Sequence, residues 1–205
     1  MKKFDTVIFD LGGVLIDWNP DYVYKTIFND ETKMREFYNE ICTSEWNEEQ
    51  DAGRGLKEAT EELVARYPHE EKNIRAYYDR WEEMLKGEIE GTVKVLEKIK
   101  DRDDLKLYAL TNWSHETFPV ALKRFEFLQW FHGRLVSGEE KMRKPFVEIY
   151  QLLLKRYNIN PETAIYIDDN ERNLKPARDL GLYTIHFKSP HQLEEEFIKL
   201  GIING

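Results

Sequence analysis

A single cysteine, Cys42, is all the thiol that this 205-residue chain possesses. That excludes an internal disulfide framework and any metal site built from several thiolates. Positive charge is in deficit, since 30 Lys and Arg face 39 Asp and Glu for a formal charge of −9. Nucleic-acid binders hold phosphate backbones with clustered Lys and Arg, so this balance speaks against such a partner. Apolar runs are short. None is long enough to cross a bilayer, so no membrane partner is expected. The opening Met1-Lys2-Lys3 leads into apolar residues broken by Asp5 and Asp10, which leaves no core for a secretory leader. Internal repeats and low-complexity tracts are missing too. The expectation is a soluble, cytoplasmic, globular protein.

What is present supports a packed core. Hydrophobic residues make up 41% and aromatics 13%, too many for a disordered chain. The length of 205 residues suits one domain, or a core domain with a modest insertion. Short apolar runs alternate with helix-periodic segments, which predicts an α/β fold with a Rossmann-like parallel sheet under helices. Strands are expected over residues 4–9, 105–110, 135–136, 164–167 and 183–187, and helices over 93–99, 147–157 and 174–180. Gly181 sits where a helix C-cap belongs. From 21 to 86 the strand texture stops, and only helical spacing appears, over 22–28, 34–41, 56–67 and 74–85. Gly53 and Gly55 divide that stretch. The expected organisation is a core of residues 1–17 and 87–205, with an all-helical cap of 18–86 inserted after the first strand.

Three expected strands end in polar residues: Asp10, Thr111-Asn112 and Asp168-Asp169. An Asp after a strand is commonly a turn residue or a helix N-cap. In open α/β sheets, however, ligands bind beyond the carboxyl ends of the strands, so these groups should converge. Three such ends joined by a lysine, Lys144, suggest a site.

Asp10-Leu11-Gly12-Gly13-Val14-Leu15, then Thr111-Asn112, Lys144-Pro145 and Asp168-Asp169 resemble the four ordered motifs of the haloacid dehalogenase-like hydrolase superfamily. Steps of 101, 33 and 24 residues separate Asp10, Thr111, Lys144 and Asp168. The long first gap fits that family's helical cap. Phe9-Asp10-Leu11-Gly12-Gly13-Val14, Met142-Arg143-Lys144-Pro145 and Asp168-Asp169-Asn170, with Asn173 beyond, are most similar to the sugar-phosphatase branch related to glucose-1-phosphate phosphatases.

The resemblance implies a Mg²⁺-dependent phosphatase acting on a small phosphorylated metabolite through an aspartyl-phosphate. Asp10 would be the nucleophile, splitting the hydrolysis into two easier steps. A carboxylate approaching a phosphate dianion is repelled unless a hard cation neutralises the charge. The implied Mg²⁺ ligands are Asp10, the Gly12 carbonyl and Asp168 or Asp169, with the remaining Asp in an outer shell. Lys144 would add positive charge towards the phosphoryl oxygens and Asp10. The Thr111 hydroxyl and backbone N–H groups near Asn112 and Trp113 would cradle the other phosphoryl oxygens, beside ordinary capping of a helix starting near Ser114.

One departure matters. Most phosphatases of the superfamily carry a second Asp two residues after the nucleophile as general acid and base, and here that position is Gly12. Losing a positioned proton donor costs on the order of 10²–10⁴ in rate. An anomeric oxygen is a better leaving group than an ordinary alkoxide, so a sugar 1-phosphate needs less help. Asp17, near the start of the cap, is a substitute donor or else a turn residue ahead of Asn19-Pro20.

In the cap, Asp51-Ala52-Gly53-Arg54-Gly55 is a candidate specificity loop. Arg54 would reach a sugar hydroxyl or a phosphate, or remain solvated in a flexible turn. Trp18, Trp46 and Trp81 at helical spacing read as core, whereas Trp113 follows a phosphate-binding motif and can stack on a substrate. His115 and His132 read as surface or capping residues, and Glu61-Glu62 and Glu194-Glu195-Glu196 as solvated helix faces. Two other functions stay open. One is a metal-independent 2-haloacid dehalogenase, whose relatives also lack the second Asp. The other is a phosphate-binding protein without turnover.

Overall fold

The computed structural model describes residues 3–204, so the Met1-Lys2 opening weighed above lies outside it. The chain begins with β1 (Thr6–Phe9) and β2 (Ile16–Trp18). Five helices follow: α1 (Asp21–Tyr24), α2 (Glu31–Glu40), α3 (Ser44–Asp51), α4 (Leu56–Arg66) and α5 (Glu71–Asp79). Next come β3 (Leu85–Glu88), α6 (Glu90–Glu97), β4 (Lys106–Thr111), α7 (Phe118–Arg124) and β5 (Gly133–Val136). The chain closes through α8 (Ser137–Glu140), α9 (Val147–Arg156), β6 (Ala164–Asp168), α10 (Glu171–Asp179), β7 (Tyr183–His186) and α11 (Pro190–Lys199).

Five strands form one parallel sheet in the order β5-β4-β1-β6-β7. This is the expected α/β core. Every residue of β1 and β6 is buried, as befits strands covered by helices on both faces. Strand β1 lies at the centre, with Phe9 opposite Ala109 of β4 and Ile167 of β6. Because the three strands run parallel in that register, their carboxyl ends finish at one edge of the sheet. The polar residues that follow are thereby brought together.

Two short strands escape sequence reading. β2 and β3 pair antiparallel, with Ile16 opposite Glu88 and Asp17 opposite Gly87. Three or four residues carry too little alternation to stand out. They form a double stem from which α1 to α5 hang. The polar α3 carries no helical signal either, since SEWNEEQD has no apolar period. Its start rests instead on Thr43, whose hydroxyl accepts the Trp46 N–H at 3.1 Å. The helix expected near Ser114 begins only at Phe118. Gly181, with φ +96°, stands just past the Leu180 cap of α10, where the chain needs a left-handed residue.

Between the stems the helices pack on aromatic rings. Tyr24 meets Phe37 at 5.2 Å and Tyr38 at 5.3 Å, while Trp46 meets Tyr77 at 5.3 Å. Tyr24, Phe37 and Tyr77 belong to the same apolar cluster as Phe9 and Phe197 beside the sheet, so the helical layer and the sheet share one core. Cys42 is buried there as a free thiol, and burial pushes its pKa up, which leaves it unreactive. Among the described residues no helix is long and apolar enough to cross a membrane.

Candidate functional site

Asp10 follows the central strand directly, and its side-chain orientation is fixed from two sides. Its Oδ1 accepts the Leu11 N–H at 2.7 Å, and its Oδ2 pairs with Lys144 Nζ at 2.8 Å. Lys144 reaches Asp168 Oδ2 at 2.7 Å as well, so one ammonium bridges two strand ends. Lys144 is only 1% exposed and Asp168 is fully buried. A lysine buried this deeply persists only where paired carboxylates repay its lost hydration. Burial alone would lower its pKa, but Asp10 and Asp168 hold it above the ordinary lysine range.

Asp168 is saturated with donors. Lys144, the Tyr166 hydroxyl, the Asn170 N–H at 2.8 Å and Asn173 Nδ2 at 3.0 and 3.1 Å all point at its two oxygens. Burial works against ionisation there, yet Lys144 and these donors together bring its pKa below the usual carboxylate value. Asp10 goes the other way. Burial, with Asp168 and Asp169 adding repulsion, outweighs Lys144 and pushes its pKa well up. Asp169 is exposed, and its pKa is raised by partial burial and by Asp168.

One oxygen from each of Asp10, Asp168 and Asp169 lies within 4.8 Å of the others. Three carboxylates against one ammonium leave two negative charges uncompensated. Hard oxygen donors at this spacing suit a divalent ion such as Mg²⁺. Burial is the main reason that the pKa values of Asp10 and Asp169 are raised, and repulsion from the neighbouring carboxylates adds to it.

The loop after Asp10 turns tightly. The N–H groups of Leu15 and Ile16 both donate to the Leu11 carbonyl, at 2.8 and 2.9 Å, and Gly13 N–H donates to Ile16 at 2.9 Å. Gly13 has φ +73°, and a β-carbon there would lie 2.4 Å from Asp169 Oδ2. Glycine is therefore required both by the backbone and by the neighbouring carboxylate. Gly13→Ala is expected to lose about 1–3 kcal/mol from the backbone alone. It should also push Asp169 aside, so that added Mg²⁺ raises the thermal midpoint less than in wild type. Thermal denaturation with and without Mg²⁺ measures both effects.

Thr111, Asn112 and Trp113 follow β4 but divide their tasks differently from expectation. The Thr111 hydroxyl is buried and has no hydrogen-bond partner, which suits a group awaiting a ligand. Asn112, in contrast, spends its side chain on Lys144, accepting its N–H at 2.8 Å and donating to its carbonyl at 3.0 Å. Its amide thus positions the lysine backbone and is not free for a phosphoryl oxygen. The Trp113 N–H is also taken, by Ser137 Oγ at 2.9 Å. Its indole N–H donates to Thr117 Oγ1 at 3.1 Å, and its ring meets Trp81 edge-on at 5.7 Å.

A cavity of about 70 Å³ opens beside these residues. Gly12, Asn112, Trp113 and Ser114 form one wall, and Trp18, Asn47, Asp51, Tyr78 and Trp81 the other. Asp17 and Arg54 do not line it. On β2 it is Trp18 that lines the cavity. Asp17 instead accepts the Tyr22 hydroxyl at 2.8 Å. Arg54 follows Gly53, whose φ of +97° turns the chain away, and pairs with Glu62 of α4. From that loop it is Asp51, at the end of α3, that reaches the cavity. Gly53 packs on the core, where a β-carbon would lie 2.9 Å from the Gly138 carbonyl. The neighbouring α3 residue Glu48 is tied to Arg143 at 2.6 Å and also to Arg172.

Comparisons with known proteins are consistent with this geometry. Residues 7–187 match the haloacid dehalogenase-like hydrolase family. The phosphorylated carbohydrates phosphatase of Thermotoga maritima is 28% identical over 193 residues, covering 89% of this chain and 84% of that one. The drimenol cyclase drtB of Aspergillus calidoustus is 26% identical over 95% of this chain, which spans only 36% of that longer protein. A HAD family enzyme from Bacteroides thetaiotaomicron, solved with magnesium and inorganic phosphate, superposes with a TM-score of 0.67 at 25% identity. That match covers 91% of this chain and 95% of the other.

Proposed function

This chain belongs to the haloacid dehalogenase-like hydrolases, and from that membership we propose that it is a Mg²⁺-dependent phosphatase of a small phosphorylated metabolite, a sugar phosphate such as glucose 1-phosphate. The observation that carries the reading is the carboxylate group around Lys144: Asp10 at the central strand end, paired with the ammonium and flanked by Asp168 and Asp169. A phosphatase relative and a magnesium and phosphate complex in the same family support it.

In this reading Asp10 attacks phosphorus and Lys144 holds its orientation while offsetting charge on the phosphoryl oxygens. Asp10, the Gly12 carbonyl and Asp169 hold Mg²⁺, which supplies the charge neutralisation that lets a carboxylate approach a phosphate dianion. Asp168, its lone pairs already occupied, orients Lys144 from behind. The unpartnered Thr111 hydroxyl takes a phosphoryl oxygen. A metal-independent dehalogenase has no use for so many carboxylates around one lysine.

The helical segment 18–86 acts as the cap over a core of 1–17 and 87–205, hinged at the β2–β3 stem. Cap residues Trp18, Asn47, Asp51, Tyr78 and Trp81 face Gly12, Asn112 and Trp113 of the core across this cavity. The cap opens to admit substrate and closes to exclude water. Trp18, Trp81 and Trp113 offer faces for a sugar ring, and the buried Trp18 indole N–H lacks a partner that a hydroxyl would supply.

A screen of phosphorylated metabolites that includes glucose 1-phosphate tests the proposal. Phosphate release should require Mg²⁺, vanish with EDTA and return on adding the ion. Turnover unchanged by EDTA, or halide release from a 2-haloacid in place of phosphate release, would refute it.

A further inference from the structure

The position two residues after Asp10, where most related phosphatases carry an acid, is Gly12, and a β-carbon there would meet no atom within 4 Å. Its missing side chain faces open space. Across the same cavity stands Asp51, the sole carboxylate among the residues that line it. Its backbone carbonyl accepts the hydroxyl of Ser137, and the same Ser137 oxygen accepts the Trp113 N–H. Asp51 is thereby anchored to the segment that follows Thr111 and Asn112. Its carboxyl accepts Asn47 Nδ2 at 3.3 Å.

We propose that Asp51, carried by the cap segment, is the general acid and base that replaces the acid missing at Gly12. The inference rests on the phosphatase reading. In the first step Asp10 forms a bond to phosphorus, the bond from phosphorus to the leaving oxygen breaks, and that oxygen takes the proton of the Asp51 carboxyl. In the second step water attacks the aspartyl-phosphate and gives its proton to the Asp51 carboxylate. The bond from phosphorus to Asp10 breaks, and phosphate leaves with both residues restored. Because Asp51 arrives on the cap, the acid is in place only when the cap is closed.

The surroundings of Asp51 agree with that task. Partial burial and the neighbouring Glu48 push its pKa up to about 7, against the pull of Arg143, Lys144 and the Ser114 N–H. A general acid works best with a pKa near the operating pH. From α5, Tyr77 and Tyr78 also face it, and both phenols stay neutral because burial and Asp51 itself hold their pKa values up. Tyr78, the other ionisable group in the cavity wall, is occupied, donating to Asn47 Oδ1 at 3.1 Å and accepting from Gln50 at 3.2 Å.

The test compares leaving groups. Wild type, Asp51→Asn and Asp51→Asn with Gly12→Asp are assayed on p-nitrophenyl phosphate and on the alkyl phosphate that wild type hydrolyses fastest. A nitrophenolate leaves without a proton, whereas an alkoxide needs one. Asp51→Asn should lower kcat/KM for the alkyl phosphate about 10²–10⁴-fold and for the aryl phosphate less than about tenfold. The aryl reaction should then show a burst of nitrophenol equal to the enzyme, since water lacks its base. The falling limb of kcat/KM near neutral pH should disappear, and Gly12→Asp should restore part of the alkyl activity. Equal losses on both substrates, or no loss on either, would overturn the assignment. Wild type inactive on every phosphate with Mg²⁺ would instead remove the phosphatase reading. Matching thermal midpoints identify a folded variant, and a variant that has unfolded is replaced by Asp51→Glu, which should keep the leaving-group pattern of wild type.

Discussion

Asp10→Asn is expected to abolish phosphate release, by on the order of 10⁴–10⁶, while leaving the protein at least as stable as wild type. The first half follows from chemistry, since a carboxamide cannot form the aspartyl-phosphate. The second half follows from electrostatics. Burial and the adjacent Asp168 and Asp169 raise the Asp10 pKa in the folded chain, so folding disfavours its ionised form. A raised carboxylate pKa costs stability as pH climbs from the ordinary Asp value through the folded one. Asn removes the charge and keeps the shape, leaving Lys144 paired with Asp168 alone. A gain on the order of 1 kcal/mol is typical where a functional site has been relieved of strain. Thermal denaturation in EDTA, together with the phosphate assay, reads both. A variant that keeps turnover, or that melts well below wild type, would contradict the roles given to this carboxylate.

That trade explains which parts of the molecule were legible in sequence. Apart from the exposed Lys106 that opens β4, strands β1, β4 and β6 are buried on both faces, so they appear as apolar runs, and each run stops abruptly at a polar residue. Polar residues set against such strands are conspicuous, and the parallel register carries them to one edge of the sheet. Lys144 was identified only through its motif, because nothing local marks a lysine as buried. Contacts that depend on long-range register were not legible. Asn112 clasps the backbone of Lys144 across 32 residues, and Ser137 links Asp51 to Trp113 across 86 and 24 residues. Tyr166 did leave a signal, being two residues before Asp168 and therefore on the same side of β6.

Lys144→Met is expected to destabilise the fold by about 3–5 kcal/mol at neutral pH, the usual result of removing one partner from a buried ion pair. Methionine fills the space but leaves Asp10, Asp168 and Asp169 facing one another without a cation. In wild type the Lys144 pKa is raised, so its stabilising share is complete at every pH below the ordinary lysine value and is lost only as pH rises through the folded one. The Asp168 pKa is lowered, so its share is present above the ordinary Asp value and is lost as pH falls through the folded one. Without the ammonium, burial governs Asp168 too, and its ionisation turns from favouring the fold to opposing it. The destabilisation should therefore shrink as pH falls towards 4, where the carboxylates take up protons. Added Mg²⁺ should return part of the lost stability, because an ion that binds only the folded state stabilises by mass action, about 2.7 kcal/mol at a hundredfold excess over Kd. Turnover should still fall by about 10²–10³ with Mg²⁺ bound, since a positive group aimed at the phosphoryl oxygens is gone. Thermal midpoints from pH 4 to 8, with and without Mg²⁺, decide the matter. A pH-independent loss that Mg²⁺ does not relieve would mean that Lys144 matters for its packing and not for its charge.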